Sequence, residues 1–418
     1  MLSNLAKRIG ANDIIVVEQK DGTLISSPFH VRFGKLDQLK PYENDHVIIK
    51  INGSEVKNIN NIFVNELGEI YFSNNRYESK NLIENNTKNI IKQSSSDTQL
   101  VNRNNFIFKY SKESDKIQSN FDQYQTNNET KISIQDTYKL NEGGLRKNLS
   151  EKFKQKIANK VTSSMNLFDS NQRPDSNILK LLNLNSGINE ISFEINIDRI
   201  KKEATAFIYK WIYTDKIIIS DIDGTITRSD VRGQILTSIG KNWYHENVAR
   251  LFNLIKNNGY KIVYLSARSV YMSGMTKNIL KEMSQDNNFM PRGPVLLNPV
   301  NILNAFHTEV IEKNPDEFKT NCLIDLRSLF DENNVNPFYA GFGNKLTDIT
   351  TYKTIGIDAK LIFIIDQTGL VNYNHDQTGY NKVNELDVQP RKLSSYLELS
   401  NLVNNFFPVL FYENKFVI

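Results

Sequence analysis

The chain has 418 residues, of which 23% are Asp, Glu, Lys or Arg, and a formal net charge of +4. That length leaves room for two or three domains with sizeable cores, and so small a net charge excludes a chain-wide field of the kind that gathers nucleic acid. A single cysteine, Cys322, excludes an intramolecular disulfide, sets the expectation of a reducing compartment, and lies in an apolar run that reads as a buried helix face.

In chain order, residues 1–73 read as a small β unit. Ile14 to Glu18 and Thr23 to Ser26 flank Asp21-Gly22, and Val47 to Ile51 precedes Asn52-Gly53; both dipeptides supply the positive φ of tight hairpin turns. A unit of this size buries little surface by itself, so strands from elsewhere are expected to complete it. The character changes over 74–189, with ten Asn between 81 and 130 and the run Ser94-Ser95-Ser96, which predicts a flexible insertion that cannot offset its ordering entropy. Within it Leu145, Leu149, Phe153, Ile157 and Val161 recur every four residues among lysines and Arg146. That pattern predicts a basic amphipathic helix, suited either to an anionic membrane surface or to docking on its own catalytic domain.

Strand alternation returns over 190–215, through Ile191, Phe193, Ile195 and Ile197. From 216 to 418 strand-like runs alternate with helical patterns, the runs being Ile217 to Ile219, Lys261 to Leu265, Val295 to Leu297, Phe338 to Phe342 and Leu361 to Ile365. The expected fold is an α/β parallel sheet of Rossmann type, covered on both faces, with ligands at the carboxyl ends of its strands.

The chemistry-bearing residues fall at those strand ends. Asp221-Ile222-Asp223-Gly224-Thr225 follows the apolar run Ile217 to Ser220, so alternation projects Asp221 and Asp223 in a related direction, and Gly224 relieves crowding where the chain turns around a bound phosphate. Two carboxylates facing a phosphate dianion repel it, which calls for a bridging divalent cation, and magnesium suits carboxylate and carbonyl oxygen. Asp348 is placed to complete that site, with Asn344 orienting a metal water or binding directly. Ser266 ends another strand and can donate to a phosphoryl oxygen; Arg268 either adds a second phosphate contact or stabilises its loop. A lysine is needed to neutralise the transferring group. Lys313, just before a helix opened by Pro315, is the first choice and Lys319 the fallback.

The Asp221–Thr225 motif, followed in order by Ser, Lys and Asp elements, resembles the haloacid-dehalogenase phosphatases. That resemblance implies Asp221 as nucleophile, forming an aspartyl-phosphate, and Asp223 as general acid and then base. Two further stretches narrow it. Asp13 to Leu24 and Ser27 to Leu36 look like the N-terminal lipin segment, and Ser220 to Asp230, Tyr264 to Arg268, Pro291 to Pro294, Ala305 to Lys313 and Phe342 to Asp348 look like the lipin catalytic segment. Membership of the lipin family implies magnesium-dependent conversion of phosphatidic acid to diacylglycerol, by a haloacid-dehalogenase-like domain. It also implies a split immunoglobulin-like β-sandwich, built from the N-terminal strands and those just before the catalytic motif. The remaining alternatives are a non-catalytic phosphatidate-binding module and a phosphatase of a soluble or protein substrate.

Other expectations follow from departures and absences. No run approaches the roughly 20 apolar residues of a spanning helix, and the N-terminus lacks a secretory signal. A cytoplasmic protein is therefore expected, meeting the endoplasmic reticulum or nuclear envelope reversibly from the water side. Only Leu2, Leu5 and Ile9 precede the strands where relatives carry a longer amphipathic helix, so weak or assisted membrane binding is expected. Arg232 replaces the leading leucine of a coactivator motif at Arg232 to Leu236, which leaves a transcriptional role unsupported. Gly34 reads as a positive-φ structural glycine, and Phe406 to Pro408 as packing residues.

Overall fold

In the computed structural model the described residues are 9–34, 47–59, 61–64, 68–72, 172–197, 200–228, 243–299, 315–330, 336–373, 391–393 and 395–410. The expected helix at 145–161, the Arg232 to Leu236 stretch and Lys313 lie outside them.

Six strands form the first sheet: Ile14–Glu18 (β1), Leu24–Ser26 (β2), Ile48–Ile51 (β3), Ser54–Glu55 (β4), Gly187–Ile197 (β5) and Ile200–Ile212 (β6), in the order β2-β1-β6-β5-β3-β4. The β3–β4 hairpin turns on Asn52 and Gly53, at φ 49° and 81°, as the dipeptide predicts. The N-terminal strands do pair with those preceding the catalytic motif. β1 runs parallel to β6, Ile14 opposite Ile208 and Glu18 opposite Ile212. Because β1 is covered on both faces, its run Ile14 to Val17 is apolar throughout rather than alternating. Ile14 and Val16 enter one core with Phe29, Phe33, Phe193 and Ile208, while Ile15 and Val17 enter another with Ile217 and Leu323.

The sheet's core begins upstream of the boundary expected at 189/190. The Asp175 carboxylate accepts from the Ile178 N–H at 2.9 Å and caps the helix Ser176–Leu181 (α1), and β5 starts at Gly187. Composition hides this helix because it is short and only Leu179, the capping Leu182 and the half-buried Ile178 tie it to the core.

The second sheet has seven strands: Ile217–Asp221 (β7), Lys261–Ser269 (β8), Val295–Asn298 (β9), Phe338–Gly343 (β10), Ile362–Ile365 (β11), Val371–Tyr373 (β12) and Arg391–Leu393 (β13), in the order β9-β8-β7-β10-β11-β12-β13. Strands β9 to β11 of that order are parallel, and the β12 and β13 edge is antiparallel. This is the expected α/β sheet of Rossmann type. One face packs on the helices Val248–Asn257 (α2) and, near the C-terminus, Tyr396–Asn401 and Val403–Phe406; the other packs on Pro315–Arg327 and Leu346–Thr354. Ile218 points to the first face and Ile217 and Ile219 to the second, so every side chain of that run is buried, each contributing about 1.5–3 kcal/mol relative to exposure. Phe407 is fully buried, its ring centroid 6.1 Å from Phe342 and 5.7 Å from Phe363, so its part of the C-terminal aromatic run packs as expected.

The chain leaves β7 toward β8 and β9 on one side and returns to β10 and β11 on the other. The carboxyl end of β7 is therefore the point where the strand order reverses, which is where open sheets of this kind place their ligands.

Candidate active site

Asp221 is the last residue of β7 and is buried. Ile222 drops into the core, and its carbonyl accepts from the N–H groups of Thr225, Ile226 and Thr227. The chain is thereby wound into a tight turn that sends Asp221 and Asp223 to opposite sides. Asp221 faces the helices beyond β10; Asp223 faces β8.

On the first side, Lys319 of the helix Pro315–Arg327 (α3) sits 2.8 Å from Asp221 and 2.8 Å from Asp348. The Thr225 hydroxyl donates to Asp221 at 3.4 Å. Asp348 is wholly buried in the first turn of Leu346–Thr354 (α4), where its second oxygen accepts from the Asn344 and Lys345 N–H groups at 3.0 and 3.1 Å. One ammonium cannot neutralise two buried carboxylates. Burial pushes the Asp221 carboxyl up to about 7, with Asp348 adding to the rise and Lys319 opposing it. Burial alone would lower the Lys319 ammonium, but the two facing carboxylates hold it above the ordinary lysine value.

On the second side Asp223 is clamped. The Ser266 hydroxyl donates to it at 3.0 Å, and Arg268 donates to both of its oxygens, at 3.0 Å from Nε and 2.5 Å from Nη2. Arg268 is itself buried and reaches Thr276. Beside the two contacts weighed for Arg268, phosphate or loop, the structure shows a third: a bidentate fork on the second aspartate. Sequence reasoning missed this because β8 and β7 are distant in the chain and adjacent only in the sheet.

Lys319, the fallback, carries a signal that could have ranked it first. It shares a stripe with Leu323, Leu326 and Phe330, all buried, and a lysine on the buried stripe of a helix must be paired.

Gly224 has φ 82°, and a Cβ built on it would lie 2.0 Å from Nδ2 of Asn344. Both facts exclude a side chain. Gly224→Ala is expected to cost more than about 1 kcal/mol and to displace Asn344, seen as a lowered midpoint in urea together with lost turnover; an unchanged midpoint would contradict the close approach. The Oδ1 atom of Asn344 is buried and has no partner among the described residues. An orphaned oxygen beside two carboxylates fits a hard cation, although among the described residues no three His, Cys, Asp or Glu side chains cluster as a ready ligand set.

The C-terminal helix Tyr396–Asn401 (α5) adds a support that sequence did not reveal: the Tyr396 hydroxyl donates to the Thr225 carbonyl at 2.8 Å. The N-terminal segment braces the far edge of the sheet, where the Asn12 side chain pairs with the Leu297 backbone at 2.7 and 3.0 Å and Asp13 accepts from the Val295 N–H at 2.9 Å.

Residues 170–408 match the family model LNS2 (Lipin/Ned1/Smp2), and residues 3–92 match the lipin N-terminal conserved region. The chain belongs to the lipin family. It is 40% identical over 241 residues to phosphatidate phosphatase LPIN1 of Homo sapiens, covering 57% of this chain and 25% of that protein. It is also 42% identical over 236 residues to phosphatidate phosphatase PAH1 of Arabidopsis thaliana, covering 56% and 25%. With phosphatidic acid phosphohydrolase 1 of Saccharomyces cerevisiae the figures are 41% over 240 residues, covering 55% and 26%. The lipin chain thus spans about a quarter of the length of these relatives. Its Gly34, at φ 78°, lies where the lipin N-terminal region predicts a structural glycine, and its carbonyl comes within 2.2 Å of where a Cβ on Gly68 would stand.

Proposed function

We propose that this protein hydrolyses phosphatidic acid to diacylglycerol and phosphate. The observation that carries the proposal is Asp221, a buried carboxylate at the strand-order reversal of a lipin-family sheet, braced by Lys319 and paired with an independently clamped Asp223.

In this reading an Asp221 oxygen attacks phosphorus, the bond from phosphorus to the glyceryl oxygen breaks, and an aspartyl-phosphate forms. Substrate binding draws the Arg268 fork off Asp223, which then takes up a proton from solvent; the leaving oxygen receives that proton, and the Asp223 carboxylate afterwards removes one from the water that hydrolyses the intermediate. Until substrate binds, Arg268 and Ser266 hold the Asp223 carboxylate in place, and Lys319 offsets charge around Asp221. Ser266 turns its hydroxyl from Asp223 to a phosphoryl oxygen once substrate is bound, and Gly224 lets the phosphate approach the turn. Family membership supports a divalent metal. Magnesium is the ion we favour, held by Asp221, Asp348, Asn344 and the Asp223 main chain or carboxylate; when bound it supplies charge neutralisation for the phosphate dianion. Lys313 remains a candidate for a second phosphate contact.

The same proposal covers the surroundings. We read the six-stranded sheet, with the two-stranded pairs Gly10–Ala11/Val31–Arg32 and Ile62–Val64/Ile70–Phe72 whose Ala11, Val31, Ile62 and Ile70 share its core, as the split immunoglobulin-like sandwich. Residues 1–73 and the chain from 172 to 215 would build it, 216–418 the catalytic domain, and the stretch between 74 and 171 an inserted segment. Among the described residues no helix is long and apolar enough to cross a membrane. We place the protein reversibly on an anionic membrane surface, that of the endoplasmic reticulum or nuclear envelope.

The test is phosphate release from phosphatidate vesicles with and without magnesium. Metal-dependent release that exceeds release from a small soluble phosphoester is expected, whereas vesicle binding with no release would leave the binding-module alternative standing.

A further inference from the structure

A second cavity of about 620 Å³ opens beyond β9, the edge of the catalytic sheet opposite its antiparallel strands. Its walls are the outward face of β6, the helix Ser273–Glu282, the N-terminal segment around Asp13, and residues 289–293. None of Asp221, Asp223, Ser266, Lys319 or Asp348 lines it. Its volume lies in the range of small-molecule sites, and its place at a junction between two sheets is where such sites recur.

Two polar groups share one wall of it. Arg292 is exposed, lies 5.2 Å over the Phe207 ring, and makes no ion pair or hydrogen bond among the described residues. Tyr209, two residues after Phe207 on β6 and so on the same face of the strand, makes no side-chain hydrogen bond among the described residues, and its hydroxyl is not enclosed but opens onto the cavity. Beside this pair the lining is apolar, with Phe207, Leu280, Phe289 and Met290.

We propose that the cavity binds a monoanionic amphiphile, a long-chain carboxylate, with its head on the Arg292 fork and the Tyr209 hydroxyl and its hydrocarbon along Phe207, Leu280, Phe289 and Met290. The planar guanidinium matches a carboxylate with two parallel donors. A phosphate dianion fits less well. Lys277, Lys281 and Arg292 are balanced in the lining by Asp13, Glu190 and Glu203, and Lys277 is already paired with Asp13 at 2.6 Å, so the lining is neutral overall and one added negative charge, met by Arg292, costs less than two. This site is independent of phosphatidate hydrolysis and stands or falls on binding alone.

The experiment is calorimetric titration of the whole protein with dodecanoate below its micellar range, alongside butyrate, dodecanol and dodecylphosphonate. Saturable binding of dodecanoate at one site is expected, weakened about tenfold or more by Arg292→Gln and about threefold by Tyr209→Phe. Tyr209→Phe keeps the ring and Arg292 is on the surface, so folding is preserved; circular dichroism checks this. Fluorescence of Trp211, whose ring centroid is 6.3 Å from Tyr209, provides a second readout of occupancy. Butyrate or dodecanol binding as tightly as dodecanoate overturns the amphiphile, tighter binding of dodecylphosphonate overturns the monoanion, and an Arg292→Gln affinity within twofold of wild type overturns the site.

Discussion

Asp221→Asn is expected to reduce phosphate release from phosphatidate by at least about 10⁴-fold, the scale on which removal of a nucleophile acts, while leaving the metal-free protein as stable as wild type or more so. The two halves of that expectation have one cause. Lys319 lies 2.8 Å from both Asp221 and Asp348, so the trio holds two carboxylates against one ammonium inside the protein. Replacing Asp221 with the neutral isostere removes the attacking oxygen and leaves Lys319 and Asp348 balanced, relieving like-charge repulsion that the native site maintains for catalysis. Phosphate release and thermal melting in a chelator check both halves. Retained turnover would falsify the nucleophile assignment, and a melting temperature lowered by more than about 2 °C, on the order of 1–2 kcal/mol for a chain of this size, would mean that the Asp221 carboxylate stabilises the fold.

What the sequence made legible follows from range. Asp221 and Asp223 were readable because a motif and the strand that presents it are contiguous, and the apolar run Ile217 to Ile219 reports burial on both faces directly. The β3–β4 hairpin was readable for the same reason, since Asn52-Gly53 carries its turn locally. Contacts made across the sheet left no such trace. The Arg268 fork on Asp223 joins residues 45 apart in sequence, the Tyr396 hydroxyl reaches Thr225 across 171, and the Asn12 amide completes a strand edge 285 residues away; none leaves a periodicity. Lys319 stands between these cases. Its partners are distant, but its place on the buried stripe with Leu323 and Leu326 is local information, and weighing it would have put Lys319 ahead of Lys313. The boundary at 189/190 failed for a different reason. Composition averages over a window, and α1 holds its position through Leu179, Leu182 and a cap at Asp175 rather than through a long apolar pattern.

Lys319→Met tests the same cluster from the cationic side and is expected to be the most destabilising single change in the site, by about 3–5 kcal/mol, the usual cost of removing one partner from a buried ionic group. Methionine fills the volume left by the lysine stem, so packing loss is small and the effect isolates charge. The pH dependence gives the sign. In the folded wild type the Asp221 carboxyl is pushed up to about 7, from an unfolded value of 3.8; between those values the folded protein binds more protons than the unfolded chain. Metal-free stability therefore falls as pH rises through that window. Without Lys319 the charge that opposes the rise at Asp221 is gone, protonation of Asp221 is favoured further, and the fall extends to higher pH. Urea denaturation in a chelator at pH 5 and pH 8 should show a small deficit for Lys319→Met at the lower pH and the full one at the higher. Magnesium should then recover part of the loss at pH 8 by taking over the neutralisation. An equal deficit at both pH values would show that Lys319 contributes packing alone, and its part in balancing Asp221 and Asp348 would have to be abandoned.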